Sequence, residues 1–145
     1  MRWRIPLLGL VLLLFGGQLF AQDDCGQGVW KLESQAFNGE AMDLETFTQI
    51  RVVTSSHSAW MRVPDGADTT LVPALYAGSR RSVTGNTVTG TVEYASDPEW
   101  VGREDSYALS CPKGDMLYLE FDLPIIEDGE VKFTVRLEEV WRRIE

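Results

Sequence analysis

The sequence predicts an all-β domain, an antiparallel up-and-down barrel of about eight strands, and three observations carry that prediction. Period-2 alternation of apolar and polar residues recurs along most of the chain. No long stretch places apolar residues at the 3.6-residue spacing of an amphipathic helix. The alternating stretches are short and separated by tight-turn residues, and an open sheet built from them would expose two long edges that closure removes. A sandwich of similar strand count is the fallback architecture.

A different kind of segment precedes the strands. Met1-Arg2-Trp3-Arg4 is basic, an apolar run covers 5–15, and Gly16-Gly17-Gln18 interrupts it before the small residue Ala21. That order matches a secretory signal peptide, and the run is shorter than the roughly 20 apolar residues of a membrane-spanning helix. Cleavage is expected after Ala21, although Leu19 is bulky for the third position before the cut; an uncleaved anchor is the alternative. Gln22-Asp23-Asp24 stands where small residues should precede a lipidated cysteine, so Cys25 is not read as a lipid attachment site. The expected organisation is a signal peptide over 1–21 and one domain over 22–145, which is 124 of the 145 residues and enough for a single core. The destination is secreted or periplasmic, with no stable membrane insertion once the signal is removed.

Losing Arg2 and Arg4 with the signal takes the net charge from −9 to −11. Such a surface repels phosphate backbones, which argues against nucleic acid as a partner. Both cysteines, Cys25 and Cys111, lie in the exported part, where an oxidising compartment favours their only possible pairing. Closing so long a loop stabilises by about 4 to 5 kcal/mol on chain-entropy grounds. Two free buried thiols are the alternative.

The first strand is expected over 29–37, followed by a connection over 39–45 with room for a short helical turn. Strands over 49–54 and 59–63 flank the polar cluster Ser55-Ser56-His57-Ser58, and Pro64-Asp65-Gly66 then turns the chain. Strands over 75–84 and 87–94 flank Gly85-Asn86, which tolerates the positive φ of a tight hairpin. In the second of these, Val88, Gly90, Val92 and Tyr94 share a face by alternation. Ser96-Asp97-Pro98-Glu99 combines capping residues with proline and an acid, the signature of one helical turn, which should stop by Gly102. Strands over 106–110 and 116–123 are joined by Pro112-Lys113-Gly114-Asp115. In the second, Leu117, Leu119, Phe121 and Leu123 oppose Met116, Tyr118, Glu120 and Asp122. Glu127-Asp128-Gly129 leads to the last strand, 130–144. There Val131, Phe133, Val135 and Leu137 are in phase and Val140 is not, so a bulge is expected near Glu138-Glu139.

Gly28-Val29-Trp30 has the glycine, any residue, tryptophan pattern of the first strand of lipocalins, and Glu139-Val140-Trp141-Arg142-Arg143 at the other end resembles their closing strand. There a basic residue characteristically packs over the first-strand tryptophan, a cation over an indole face worth roughly 0.5 to 2 kcal/mol. Here Arg142 and Arg143 are both candidates. With Ile50-Arg51-Val52-Val53-Thr54, Ala59-Trp60-Met61-Arg62 and Val92-Glu93-Tyr94 in between, nearly all of 28–143 resembles the small secreted bacterial lipocalin-like domains. This calycin-type barrel family is largely of unknown function. The chain departs from large lipocalins in being short and in lacking a threonine, acid, tyrosine motif, so their hormone and odorant chemistry does not transfer. Gly90 stands where the smaller family leads us to expect a longer polar or acidic side chain.

Catalysis finds little support. His57 is the only histidine, and its sequence neighbours Ser56 and Ser58 do not build a nucleophile, base and acid triad. One histidine and two paired cysteines cannot complete a zinc site. Asp65 with Asp68, or Glu127, Asp128 and Glu130, lack the spacing of a calcium loop and read as turn acids. Glu120 and Glu138 could form a carboxylate pair of the glycosidase kind, and outer-face positions explain them more simply. No cofactor, metal or catalytic residue is expected.

The aromatic set Trp60, Tyr76, Tyr94, Trp100, Tyr107, Tyr118 and Trp141 is rich for the size. A small eight-stranded barrel is just wide enough inside for its own side chains or for one small ligand. The expected function is non-catalytic binding of a small apolar or amphipathic ligand, with Trp60 and Tyr76 as apolar lining and Arg62, Tyr94 and Tyr118 as polar handles. The competing class is a structural or protein-interaction barrel with a filled interior.

Overall fold

A computed structural model describes residues 24–66 and 75–145. The expected signal peptide and Asp68 lie outside the described residues. Among the described residues nine strands follow one another: β1 (Gly28–Phe37), β2 (Glu40–Ala41), β3 (Phe47–Val53), β4 (His57–Pro64), β5 (Leu75–Thr84), β6 (Thr87–Ala95), β7 (Glu104–Lys113), β8 (Met116–Glu127) and β9 (Glu130–Arg143). From β3 to β9 each pairs antiparallel with the next, β1 pairs with both β3 and β9, and the result is a closed eight-stranded barrel. The two-residue β2 flanks it, pairing with Ala36 and Phe37 of β1. Each of the eight expected strands is present. The connection over 39–45 holds β2 where a helical turn was expected, because Asn38 (φ 51°) and Gly39 (φ 83°) reverse the chain at once onto β1. The expected turn after Asp97 is a 3₁₀ turn, Pro98–Trp100, with the Asp97 carboxylate accepting the Glu99 N–H at 2.9 Å.

One end of the barrel is sealed. Trp30 and Trp141 are fully buried there among Leu32, Val53, Val88, Leu109, Leu117 and Leu119. Of the two candidate arginines it is Arg143 whose guanidinium lies 4.2 Å above the Trp30 ring. Trp30 and Arg143 face each other across the β1–β9 seam, so the cation locks the strand pair that closes the sheet. Arg142, one residue out of phase, points outward to Glu33 at 2.6 Å and Asp115 at 3.1 Å. Gly28 has φ 134°, and a Cβ there would collide with the Arg143 guanidinium, which is why the pattern opens with glycine.

Residues 24–27 fold beneath this end. Cys25 is bonded to Cys111 of β7, with Cα atoms 6.1 Å apart. The Trp30 indole N–H donates to the Gly26 carbonyl at 2.9 Å, Arg143 donates to the Gln27 carbonyl at 2.9 Å, and Asp24 accepts a forked pair of bonds from Arg81 of β5.

The expected bulge at Glu138-Glu139 is not there. β8 and β9 stay in register from Met116–Arg142 to Ile125–Phe133. Glu139 belongs to the inward row with Leu137 and Trp141, and Val140 belongs to the outer row; a buried carboxylate, with no backbone insertion, produces the apparent break in phase. The bulges lie elsewhere. One falls in β1 between Leu32 and Ser34, and another where β5 meets β6 between Gly78 and Ser79. The second inserts Glu93 and turns Tyr94 out of the row of Val88, Gly90 and Val92.

Candidate functional site

Away from the sealed end the inner rows turn polar, and the barrel holds a cavity of about 280 Å³. Its walls are largely apolar, from Trp60, Leu75, Ala77, Val92, Phe121 and Leu137 among others. Trp60 of β4 and Trp100 of the 3₁₀ turn stand 6.1 Å apart between ring centroids at one side of it. Gly90 is part of the wall, where the missing side chain leaves room opposite Asp105, its partner on β7.

The floor is charged. Arg51 of β3 is 8% exposed and Glu139 of β9 is 5% exposed, with Gln35 of β1 and Gln49 of β3 equally buried. Glu139 accepts from Gln35 Nε2 at 2.7 Å and from the Trp141 indole N–H at 2.9 Å. Arg51 donates to the Tyr107 hydroxyl at 2.7 Å and its guanidinium carbon lies 5.3 Å from the centre of that ring. Arg62 of β4 donates to Gln49 Oε1 at 2.9 Å and Gln35 Oε1 at 3.4 Å, and lies 4.0 Å over Phe47. Gln35 therefore links Arg62 to Glu139. Its amide NH₂ faces the carboxylate and its oxygen faces the guanidinium. Arg103, just before β7, and Asp105 of β7 complete the charged lining.

Burial pushes the Glu139 carboxyl above the ordinary glutamate value of 4.5, against the pull of Arg51, the bonds from Trp141 and Gln35, and Arg62. Burial likewise lowers the Arg62 guanidinium, with Glu139 opposing. For Glu139 the folded state holds its proton more tightly than the unfolded state. Its contribution to stability is then complete below 4.5 and is lost as the pH rises through the folded-state value. A carbon-detected NMR titration of the Glu139 carboxyl is expected to show a midpoint above 4.5, with that share of stability fading over the same interval.

Of the residues expected to bind a ligand, Trp60 and Arg62 line the cavity. Tyr76, Tyr94 and Tyr118 do not; they are 47%, 52% and 40% exposed on the outer face. Tyr76 alternates against the inward Leu75 and Ala77, and Tyr118 against the inward Leu117 and Leu119. Tyr94 follows the Glu93 bulge outward, and its ring covers Gly78, where a Cβ would overlap it. The polar groups that do face the cavity beside Arg62 are Arg51, Tyr107, Gln35, Gln49 and Glu139. Their sequence signal is phase: Gln49 and Arg51 share the row of Phe47 and Val53. Ile50 and Val52 make the opposite face of β3 equally apolar, so that phase is ambiguous without the partner strands.

The remaining candidates lie apart from the cavity. His57 sits on the outer surface, with Nδ1 2.9 Å from Ser56 Oγ and Nε2 3.5 Å from Glu93. Glu120 and Glu138 are cross-strand neighbours on the outer face, Glu120 paired with Arg136. Asp65 accepts from the Thr48 hydroxyl at 2.9 Å, and Glu130 pairs with Lys132 at 3.3 Å. Among the described residues, no group of three or more histidine, cysteine or acidic side chains is placed to hold a metal ion. No helix among them is long and apolar enough to cross a membrane. The chain matches no protein-family model and no curated protein sequence.

Proposed function

We propose that the protein is an exported, lipocalin-like barrel that binds a small amphipathic molecule in its open end without catalysing a reaction on it. One observation carries this reading: a cavity of about 280 Å³ combines apolar walls with a few convergent, buried polar groups. Its volume is close to the lower bound, about 300 Å³, of pockets that hold small molecules, and the mixture of lining chemistry is theirs. The basic start and apolar run of the chain, and the disulfide, support export. The seam where Arg143 covers Trp30 supports the resemblance to lipocalin-like domains. Fold alone does not assign a ligand, so the reading rests on the cavity.

Native mass spectrometry of protein purified from its source tests it. A co-purifying small molecule is expected, and its release should change the fluorescence of Trp60 and Trp100, which line the cavity. Repeated preparations without any such molecule, and with no fluorescence response to added amphiphiles, would overturn it. A second reading, an interaction barrel acting through its surface, is favoured by a separate feature. Val52, Ala59, Gly78 and Tyr94 form one cross-strand outer row over β3–β6, and Ile50, Met61 and Tyr76 form the next, with Val52, Met61, Tyr76 and Tyr94 exposed.

A further inference from the structure

The β8–β9 hairpin outruns the barrel. β7 pairs with β8 no further than Ala108–Glu120, and β1 pairs with β9 no further than Phe37–Leu137, while β8 and β9 continue together to Glu127–Glu130. Residues 121–136 therefore form a two-stranded ribbon standing above the cavity mouth. Pro124 is tolerated within it because that part of β8 is an edge. Three cross-strand pairs, Phe121–Leu137, Leu123–Val135 and Ile125–Phe133, follow in unbroken register on the face that lines the cavity. Phe133 is 55% exposed, so an apolar track leads from the cavity wall out into solvent.

At the other end of that track the charges do not balance. Arg51, Arg62 and Arg103 face the cavity against Glu139 and Asp105. Glu139 already receives Gln35 and Trp141. Arg51, though more than nine-tenths buried, donates to one neutral hydroxyl, and no carboxylate among the described residues forms an ion pair with it or with Arg103. Glu139 attracts Arg51 across the floor without pairing with it, so among the described residues the buried guanidinium fork has no direct anionic partner, and a carboxylate-type group is the partner that fork fits. A cationic head would meet three guanidinium groups.

We infer, resting on the cavity-binding reading above, that the ligand is an amphipath with an anionic head, held head-down at Arg51 with its tail leaving along the inner face of the β8–β9 ribbon. The ribbon is then half of the binding site. It extends a cavity too small for a long chain by an apolar surface that the chain covers.

Calorimetric titration of the full mature protein with decanoate, decanol, decyltrimethylammonium and hexanoate, below their micelle concentrations, tests both halves. Decanoate is expected to bind about tenfold or more tighter than either decanol or the ammonium compound, as befits a charge-assisted bond to Arg51. Arg51→Met should abolish that advantage while leaving decanol unchanged. Each buried methylene tightens binding about fourfold, so Phe133→Ser, at an exposed site, should weaken decanoate by about threefold to tenfold and leave hexanoate unchanged. Equal or tighter binding of the ammonium compound, or an equal loss for decanoate and decanol in Arg51→Met, overturns the head assignment. That comparison of head groups needs no variant, so it stands even if Arg51→Met does not fold. An unchanged decanoate affinity in Phe133→Ser, or an equal loss for hexanoate, overturns the ribbon. Failure of all four compounds to bind overturns the cavity-binding reading itself.

Discussion

Replacing Trp30 with alanine is expected to lower the stability of the barrel by about 3 to 5 kcal/mol, the range for truncating a large buried aromatic side chain. Trp30 has no exposed surface, donates its indole N–H to Gly26, and carries the Arg143 guanidinium 4.2 Å above its ring. The substitution therefore opens a cavity in the sealed end, leaves the Gly26 carbonyl without its donor, and removes the surface on which Arg143 stacks. Because β1 and β9 meet at this residue, the loss falls on the seam that makes the sheet a barrel. Denaturant unfolding of the disulfide-intact protein measures it, as a fall in midpoint at constant slope. A loss under about 1 kcal/mol would mean that the neighbouring side chains refill the site.

A comparable loss, about 3 to 5 kcal/mol, is expected for Asp24→Ala, by a different mechanism. Arg81 is 1% exposed at its side chain, donates to both Asp24 carboxylate oxygens, and donates to the Thr54 carbonyl at 2.8 Å. Among the described residues its Nε has no partner, and Asp24 is the carboxylate that pairs with this buried guanidinium. Removing the carboxylate strands that charge. Removing both groups, in Asp24→Ala with Arg81→Met, should recover most of the stability, since a buried ion pair is often replaceable by apolar packing. The same unfolding measurement checks both variants. Equal stability of the single variant and the wild type would show that water reaches Arg81 from below.

Strand existence was legible because alternation and turn chemistry are local. Gly85, at φ 63°, makes the β5–β6 turn, and Asp97 caps the 3₁₀ turn, as their residue types require. The candidate site was legible only in part. Trp60 and Arg62, expected as apolar lining and polar handle, do face the cavity, whereas Tyr94 is turned out by a bulge that one extra residue creates and that no residue type announces. The inward position of Glu139 is hidden for a related reason. A charged residue on an apolar row looks, from one strand, the same as a slip in register, and only the continuous pairing of β8 with β9 separates the two. Tyr118 lies on the face that its own strand marks as polar, opposite Leu117 and Leu119.

What the sequence determined by itself is the set of strands and the one pairing open to its two cysteines, while the meeting of the first and last strands at Trp30 is what the resemblance to lipocalin-like domains implied. The strands follow from residue chemistry acting over a few positions, and the disulfide from a single possible partner. Only the tertiary structure decided which face of each strand looks inward where both are apolar or where a bulge intervenes, and hence that the interior has a charged floor with Arg51 and Glu139. It also decided that β8 and β9 continue past their neighbours. Side-chain direction has a period of two, so one inserted residue reverses everything beyond it, and that reversal is visible only when the partner strand is in place.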